Sequence, residues 1–194
     1  HYYKPMQKMD FESLISDPRN VSYEGFWCRQ TESMHIKEFL DVNLFNDVSA
    51  NNIFGPAAFY DVYENTKKPF LASHSNARAV TPHVRNLTDD MIRKLSQRGG
   101  VIGVNFETTF LGSEKDCGIA AVIRHLVYLR KVGGEECLAL GSDFDGIKGN
   151  PELRGVQDME HLWEALHRNG WTQRVLDKLF YSNALRFYQD VLPT

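Results

Sequence analysis

The chain of 194 residues has little cysteine, no long apolar run and no excess of charge of one sign. Its three cysteines, Cys28, Cys117 and Cys137, are odd in number and widely spaced. That argues against a disulfide framework or a zinc ribbon and predicts reduced thiols in a cytoplasmic setting. The longest apolar runs fall far short of a membrane span, and no signal peptide opens the chain. A net charge of −3 and a pI near 6.2 give no basis for binding nucleic acid or an anionic membrane. Low-complexity linkers and internal repeats are missing too. What is there is ordinary for a globular protein, with 42% hydrophobic and 24% charged residues, enough to bury one domain's core. Two glycosylation triplets, Asn20-Val-Ser and Asn86-Leu-Thr, carry little weight because such triplets are common by chance.

Residues 1–43 show no clean period and read as an irregular N-terminal segment; regular patterning fills 44–194. A short strand is expected at 44–48, a helix at 57–65 and a buried strand at 69–73. Thr88-Asp89-Asp90 supplies an N-cap and an acidic first turn for a helix over 90–97, which Gly99-Gly100 ends. The run 101–106 is a second buried strand, and 117–132 has helical apolar spacing up to Gly133-Gly134. A third strand follows at 137–140, then helices over 159–168 and 172–188. Strands alternating with helices predict a parallel sheet with helical crossovers.

Three side chains stand where such folds keep their chemistry, at or just past the carboxyl ends of strands. His74 directly follows the strand 69–73. A rigid strand end suits a metal-ligating imidazole, although a histidine there can equally just hydrogen-bond its loop. Arg85, on the loop that follows, has the planar fork that grips a carboxylate, or it caps the next helix. Asp143 lies in Gly141-Ser142-Asp143-Phe144-Asp145-Gly146. Beside a metal its carboxylate can take a proton or bind an amine, whereas Asp145-Gly146 reads as a turn. His125, His161 and His167 read as structural or surface residues, and His83 as an exposed polar loop residue, with contact to substrate as the alternative. Cys28, Met34 and His35 have no metal-ligand spacing.

The segments SHSNARAV, RNLTDDMIRKL, RGGVIGVNF and LGSDFDG occur in order, and Asn183-Ala184-Leu185-Arg186-Phe187 closes the set. Together, from about Phe59 to Leu192, they resemble the membrane dipeptidase (renal dipeptidase) family of zinc-dependent (β/α)8-barrel peptidases. The resemblance implies an α/β TIM-barrel-like metallohydrolase, of which 44–194 is the C-terminal part. It also implies that His74 coordinates the second of two zinc ions, that Arg85 holds a substrate carboxylate, and that Asp143 is catalytic. The departures lie upstream. The family's H-x-D pair occurs nowhere, Glu24-Gly25 is only a faint echo of its bridging glutamate, and Asp47-Val48-Ser49 is followed by Ala50 where a histidine is expected.

The expectation is therefore a zinc-dependent dipeptidase-like hydrolase that cleaves dipeptide amide bonds with a metal-activated water. Either segments of a longer protein are missing, or the chain is a truncated relative that cannot build the site alone. The alternatives are an inactive half-barrel that serves binding or assembly, or another metal-dependent amidohydrolase such as a deacylase or deaminase. Open strand edges in a half-barrel would further favour a homo-oligomer.

Overall fold

Short apolar runs separated by capped helices fold here as a three-stranded parallel sheet. The strands are β1 (Leu71–Ala72), β2 (Val101–Val104) and β3 (Leu138–Leu140), in that order. Leu71 pairs with Val101 and Ala72 with Ile102, while Ile102, Gly103 and Val104 pair with Leu138, Ala139 and Leu140. The computed structural model describes residues 56–191 except 114, 148 and 149. The strand expected at 44–48 and the segment 1–43 lie outside the described residues.

The helices follow their sequence signals closely. Helix α1 (Pro56–Asn65) opens on proline, whose missing N–H costs nothing in a first turn. Helix α2 (Asp89–Gln97) is capped by Thr88, whose side chain accepts the Met91 N–H at 3.4 Å. Its acidic first turn also ties it to its neighbours: Tyr60 donates to Asp90 at 2.8 Å and Tyr128 to Asp89 at 3.0 Å. A one-turn helix, α3 (Thr108–Leu111), was not legible in the sequence; Glu107 caps it through the Thr109 N–H. Helix α4 (Ile119–Gly133) buries Val122, Leu126 and Leu129 of the expected apolar stripe, and α5 (Met159–Arg168) spans the helix expected there.

The helix expected over 172–188 is interrupted. It consists of α6 (Gln173–Asp177), a π-helical turn (Lys178–Ser182) and α7 (Asn183–Val191). Ser182 Oγ donates to the Asp177 carbonyl at 3.1 Å, where the wider turn leaves it accessible. The extra residue turns Asn183 toward the sheet, where Nδ2 donates at 2.8 Å to the carbonyls of both Glu135 and Leu138. Arg186 reaches the Gly99 and Glu136 carbonyls, so α7 is anchored at the amino ends of β2 and β3.

The period of two in the strands sorts the core into two sides. Ala72, Ile102, Val104 and Leu138 join Met91, Ile92 and Leu95 of α2 and Val122, Leu126 and Leu129 of α4. Leu71, Val101 and Ala139 meet Phe187 and Val191 of α7 on the other face. That second face is nearly stripped of side chains at its centre, because the Ser73 carbonyl crosses it. A Cβ on Gly103 would sit 2.2 Å from the Ser73 oxygen, and one on Gly141 would sit 1.8 Å from it. Only glycine admits that approach.

Candidate active site

At the carboxyl ends of the strands the ladder stops and side chains take over the pairing. Ser75 N–H still reaches the Gly103 carbonyl at 2.9 Å, and Gly141 N–H reaches that of Val104 at 3.1 Å. The expected strands 69–73 and 101–106 are shorter in the structure because the backbone diverges here to place polar residues.

His74 follows β1, half-buried, with its Nδ1 2.6 Å from Ser73 Oγ, a contact that fixes the plane of the ring. Asp143 follows β3 and accepts a hydrogen bond from Asn105 Nδ2 at 3.0 Å. Both line one cavity of about 280 Å³, whose polar rim is completed by Ser73 and Ser142 and whose floor is Val101, Ala139 and Phe187. The sequence candidates from two different strand ends thus converge.

Arg85 stands apart from that cavity, on the loop 76–87. This loop is closed at its neck by pairing of Ala77 with Leu87, and the Arg78 N–H donates to the Leu87 carbonyl at 2.8 Å. Arg78 is consumed inside the loop, with Nε donating to the Asn86 carbonyl at 2.7 Å and Nη2 to that of Val84 at 2.5 Å. Arg85 is not so consumed. Its guanidinium lies 4.9 Å over the Phe110 ring, and its Nε is buried with no hydrogen-bond partner among the described residues. Asn86 is fully buried and donates to the Thr81 and Phe110 carbonyls at 2.9 Å, which leaves no room for a glycan on that triplet in the folded chain.

The other histidines divide. His83, expected to be exposed, is half-buried against Phe110 at 4.5 Å between ring centres and accepts the Arg85 N–H at 3.2 Å. Burial, followed by the charges of Arg85 and Arg78, lowers its pKa and so favours the neutral ring. His125 is a structural residue, as its helical spacing suggested, but it is wholly buried and supports the loop from beneath. Its Nδ1 accepts the Ala77 N–H at 3.1 Å, while Nε2 lies 3.1 Å from the Leu111 carbonyl. Desolvation brings its pKa down to about 4.

Sequence reasoning missed Asn76, Asn105 and Asn150, all buried. Asn150 Nδ2 donates to the Phe106 and Cys117 carbonyls at 3.1 and 2.8 Å, and its Oδ1 accepts the N–H groups of Glu152 and Leu153. An asparagine directly beyond an apolar run, as in Val104-Asn105-Phe106, was the available signal. As for metal, no three His, Cys, Asp or Glu side chains among the described residues group as ligands. His74 is a suitable donor by chemistry, yet the described residues alone do not complete a zinc site.

Comparison with known proteins bears on the family and the fold. The family model described as membrane dipeptidase (peptidase family M19) matches residues 46–192. An uncharacterised protein in the pqqA 5′ region of Klebsiella pneumoniae is 40% identical over 160 residues, covering 80% of this chain and 58% of that protein. An uncharacterised dipeptidase of Schizosaccharomyces pombe is 34% identical over 137 residues, covering 67% of this chain and 32% of that one. Among solved structures, a Rhodobacter sphaeroides metallopeptidase holding a phosphinate mimic of the dipeptide L-Ala-D-Ala superposes with a TM-score of 0.65. It is 33% identical, with 69% of this chain and 39% of that chain covered. The chain thus spans between about a third and three fifths of the length of these proteins.

Proposed function

This chain belongs to the membrane dipeptidase family, and from that premise we propose that it carries part of the active site of a zinc-dependent dipeptidase. Its fold is accordingly part of a TIM-barrel-like metallohydrolase, and small peptides are the substrate class the family implies. The observation that carries the reading is the meeting of His74 and Asp143 on one cavity, from the ends of β1 and β3. The ligand of the Rhodobacter relative, a dipeptide mimic, supports a dipeptide as substrate.

In this reading His74 is a metal donor, and the remaining donors are not among the described residues. The role of this chain's own side chains is to bind and orient the substrate. Arg85, whose guanidinium is not taken up by loop carbonyls as that of Arg78 is, holds the C-terminal carboxylate of the dipeptide through charge-assisted hydrogen bonds. Asp143 accepts the substrate's ammonium group or takes up a proton during hydrolysis.

The lack of a three-donor group among the described residues favours a second reading, a relative that binds without catalysing. Hydrolysis of a dipeptide panel in the presence of zinc separates the two, with N-acyl amino acids as the contrast. Activity on dipeptides that is lost in His74→Ala supports the dipeptidase. Binding without turnover, in a longer chain that restores the upstream ligands, sinks it. Turnover confined to N-acyl amino acids would mark a different amidohydrolase. Among the described residues no helix is long and apolar enough to cross a membrane.

A further inference from the structure

The chain leaves the sheet at Ser73, yet the ends of β1 and β2 stay joined beyond their ladder. Asn76 does this with a side chain in place of a strand backbone. Its Oδ1 accepts the Asn105 N–H at 2.9 Å, and its Nδ2 donates to the Asn105 carbonyl at 3.0 Å. Both backbone groups of Asn105 are thereby satisfied, and both asparagines are fully buried. The Asn105 side chain is oriented in turn. Its Oδ1 accepts the Glu107 N–H at 2.6 Å, and a backbone N–H can only donate. Nδ2 is therefore the end that meets Asp143 Oδ2.

Asp143 needs such a hold. Its φ of 62° makes it the single non-glycine residue with positive φ among those described, a conformation costing about 1 kcal/mol or more. Its other oxygen, Oδ1, lies over Gly146, where a Cβ would come within 2.2 Å of it. The Gly146 N–H closes the turn onto the Asp143 carbonyl at 2.9 Å. Oδ2 is thus held by Asn105 while Oδ1 has room only because residue 146 is glycine, and the series of contacts that holds Oδ2 starts two residues after His74.

We propose that Asn105 is a positioning residue that, together with Asn76, fixes the Asp143 carboxylate relative to His74 across the three strand ends. The catalytic consequence rests on the proposed role of Asp143 in hydrolysis; the contact itself does not. A buried amide donor costs more left unpaired than it gains when paired, so this linkage resists reorientation.

The first test needs no activity. In the ¹⁵N-labelled 194-residue chain, the Asn105 side-chain NH₂ pair should exchange slowly with water. Asp143→Ala should shift that pair and speed its exchange about tenfold or more. Asp143→Asn, which tolerates positive φ and still offers an acceptor, should keep exchange slow. An unmoved pair in Asp143→Ala overturns the proposal whether or not the chain hydrolyses anything. In material that does hydrolyse dipeptides, Asn105→Ser should lower kcat about a hundredfold with little change in KM. A wild-type kcat in a folded Asn105→Ser variant also overturns it. If the NH₂ result holds but Asp143→Ala hydrolyses normally, the role of Asp143 fails and the Asn105 contact stands.

Discussion

The imidazole of His125 accepts the Ala77 N–H at 3.1 Å, so a residue on α4 supports the neck of the loop that carries Arg85. The contact requires an unprotonated Nδ1. Burial holds the folded pKa at about 4, below the ordinary value of 6.5. The unfolded chain therefore binds the proton first. The stabilisation is fully present above about pH 6.5 and is lost as pH falls through 4. Over that window the loss is about 3 kcal/mol, with the Arg124 charge acting in the same direction as burial. Urea unfolding at several pH values should show this slope, and His125→Gln should flatten it. Parallel slopes for the two proteins would remove His125 as the cause.

Arg85 and Arg78 should separate in kinetics. Arg85→Ala should raise KM for dipeptides about 10- to 100-fold while sparing analogues amidated at the C-terminus, because a charged hydrogen bond to a carboxylate is lost. Arg78→Ala should instead destabilise the loop, since its guanidinium holds the Asn86 and Val84 carbonyls. Equal effects of Arg85→Ala on both substrate types would mean that it does not read the carboxylate.

Gly141→Ala puts a Cβ 1.8 Å from the Ser73 oxygen, and backbone cannot yield as a side chain can. We expect a loss of about 3 kcal/mol or more, or failure to fold. Ala at Gly134, where a Cβ would meet nothing within 4 Å, is the control: its strain is only that of φ 84°. Thermal melts of the two variants should differ clearly. Equal melting points would remove the carbonyl crossing as a constraint.

Zinc content distinguishes a partial site from a whole one. The 194-residue chain should hold zinc weakly and below one equivalent, and His74→Ala should lower it further. A version extended to the length of its relatives should carry about two ions. Tight stoichiometric zinc in the present chain would show that donors outside the described residues complete the site.

Local signals settled much of this molecule before any tertiary contact was known. Thr88 and the two aspartates behind it set the start of α2, and the apolar spacing of α4 set its buried face, because caps and periodicity act within a few residues. The parallel sheet followed from alternating strands and helices. The positions of His74 and Asp143 just past strand ends, and of Arg85 on the loop after β1, were legible for the same reason. The joining of β1 to β3 through Asn76 and Asn105 was not, because those hydrogen bonds span 29 and 38 residues and an asparagine announces no partner. Nor could spacing show that α7 begins after a π-helical turn, since one inserted residue matters only once Asn183 has the Glu135 and Leu138 carbonyls to reach. The separation of Arg78 from Arg85 was likewise a tertiary outcome. Both are arginines on one loop, but only the folded loop presents carbonyls that Arg78 can satisfy while it leaves Arg85 Nε buried and unpaired. Sequence thus determined which residues reach the strand ends. Packing and the pairing of most, though not all, buried polar groups decided which of them meet.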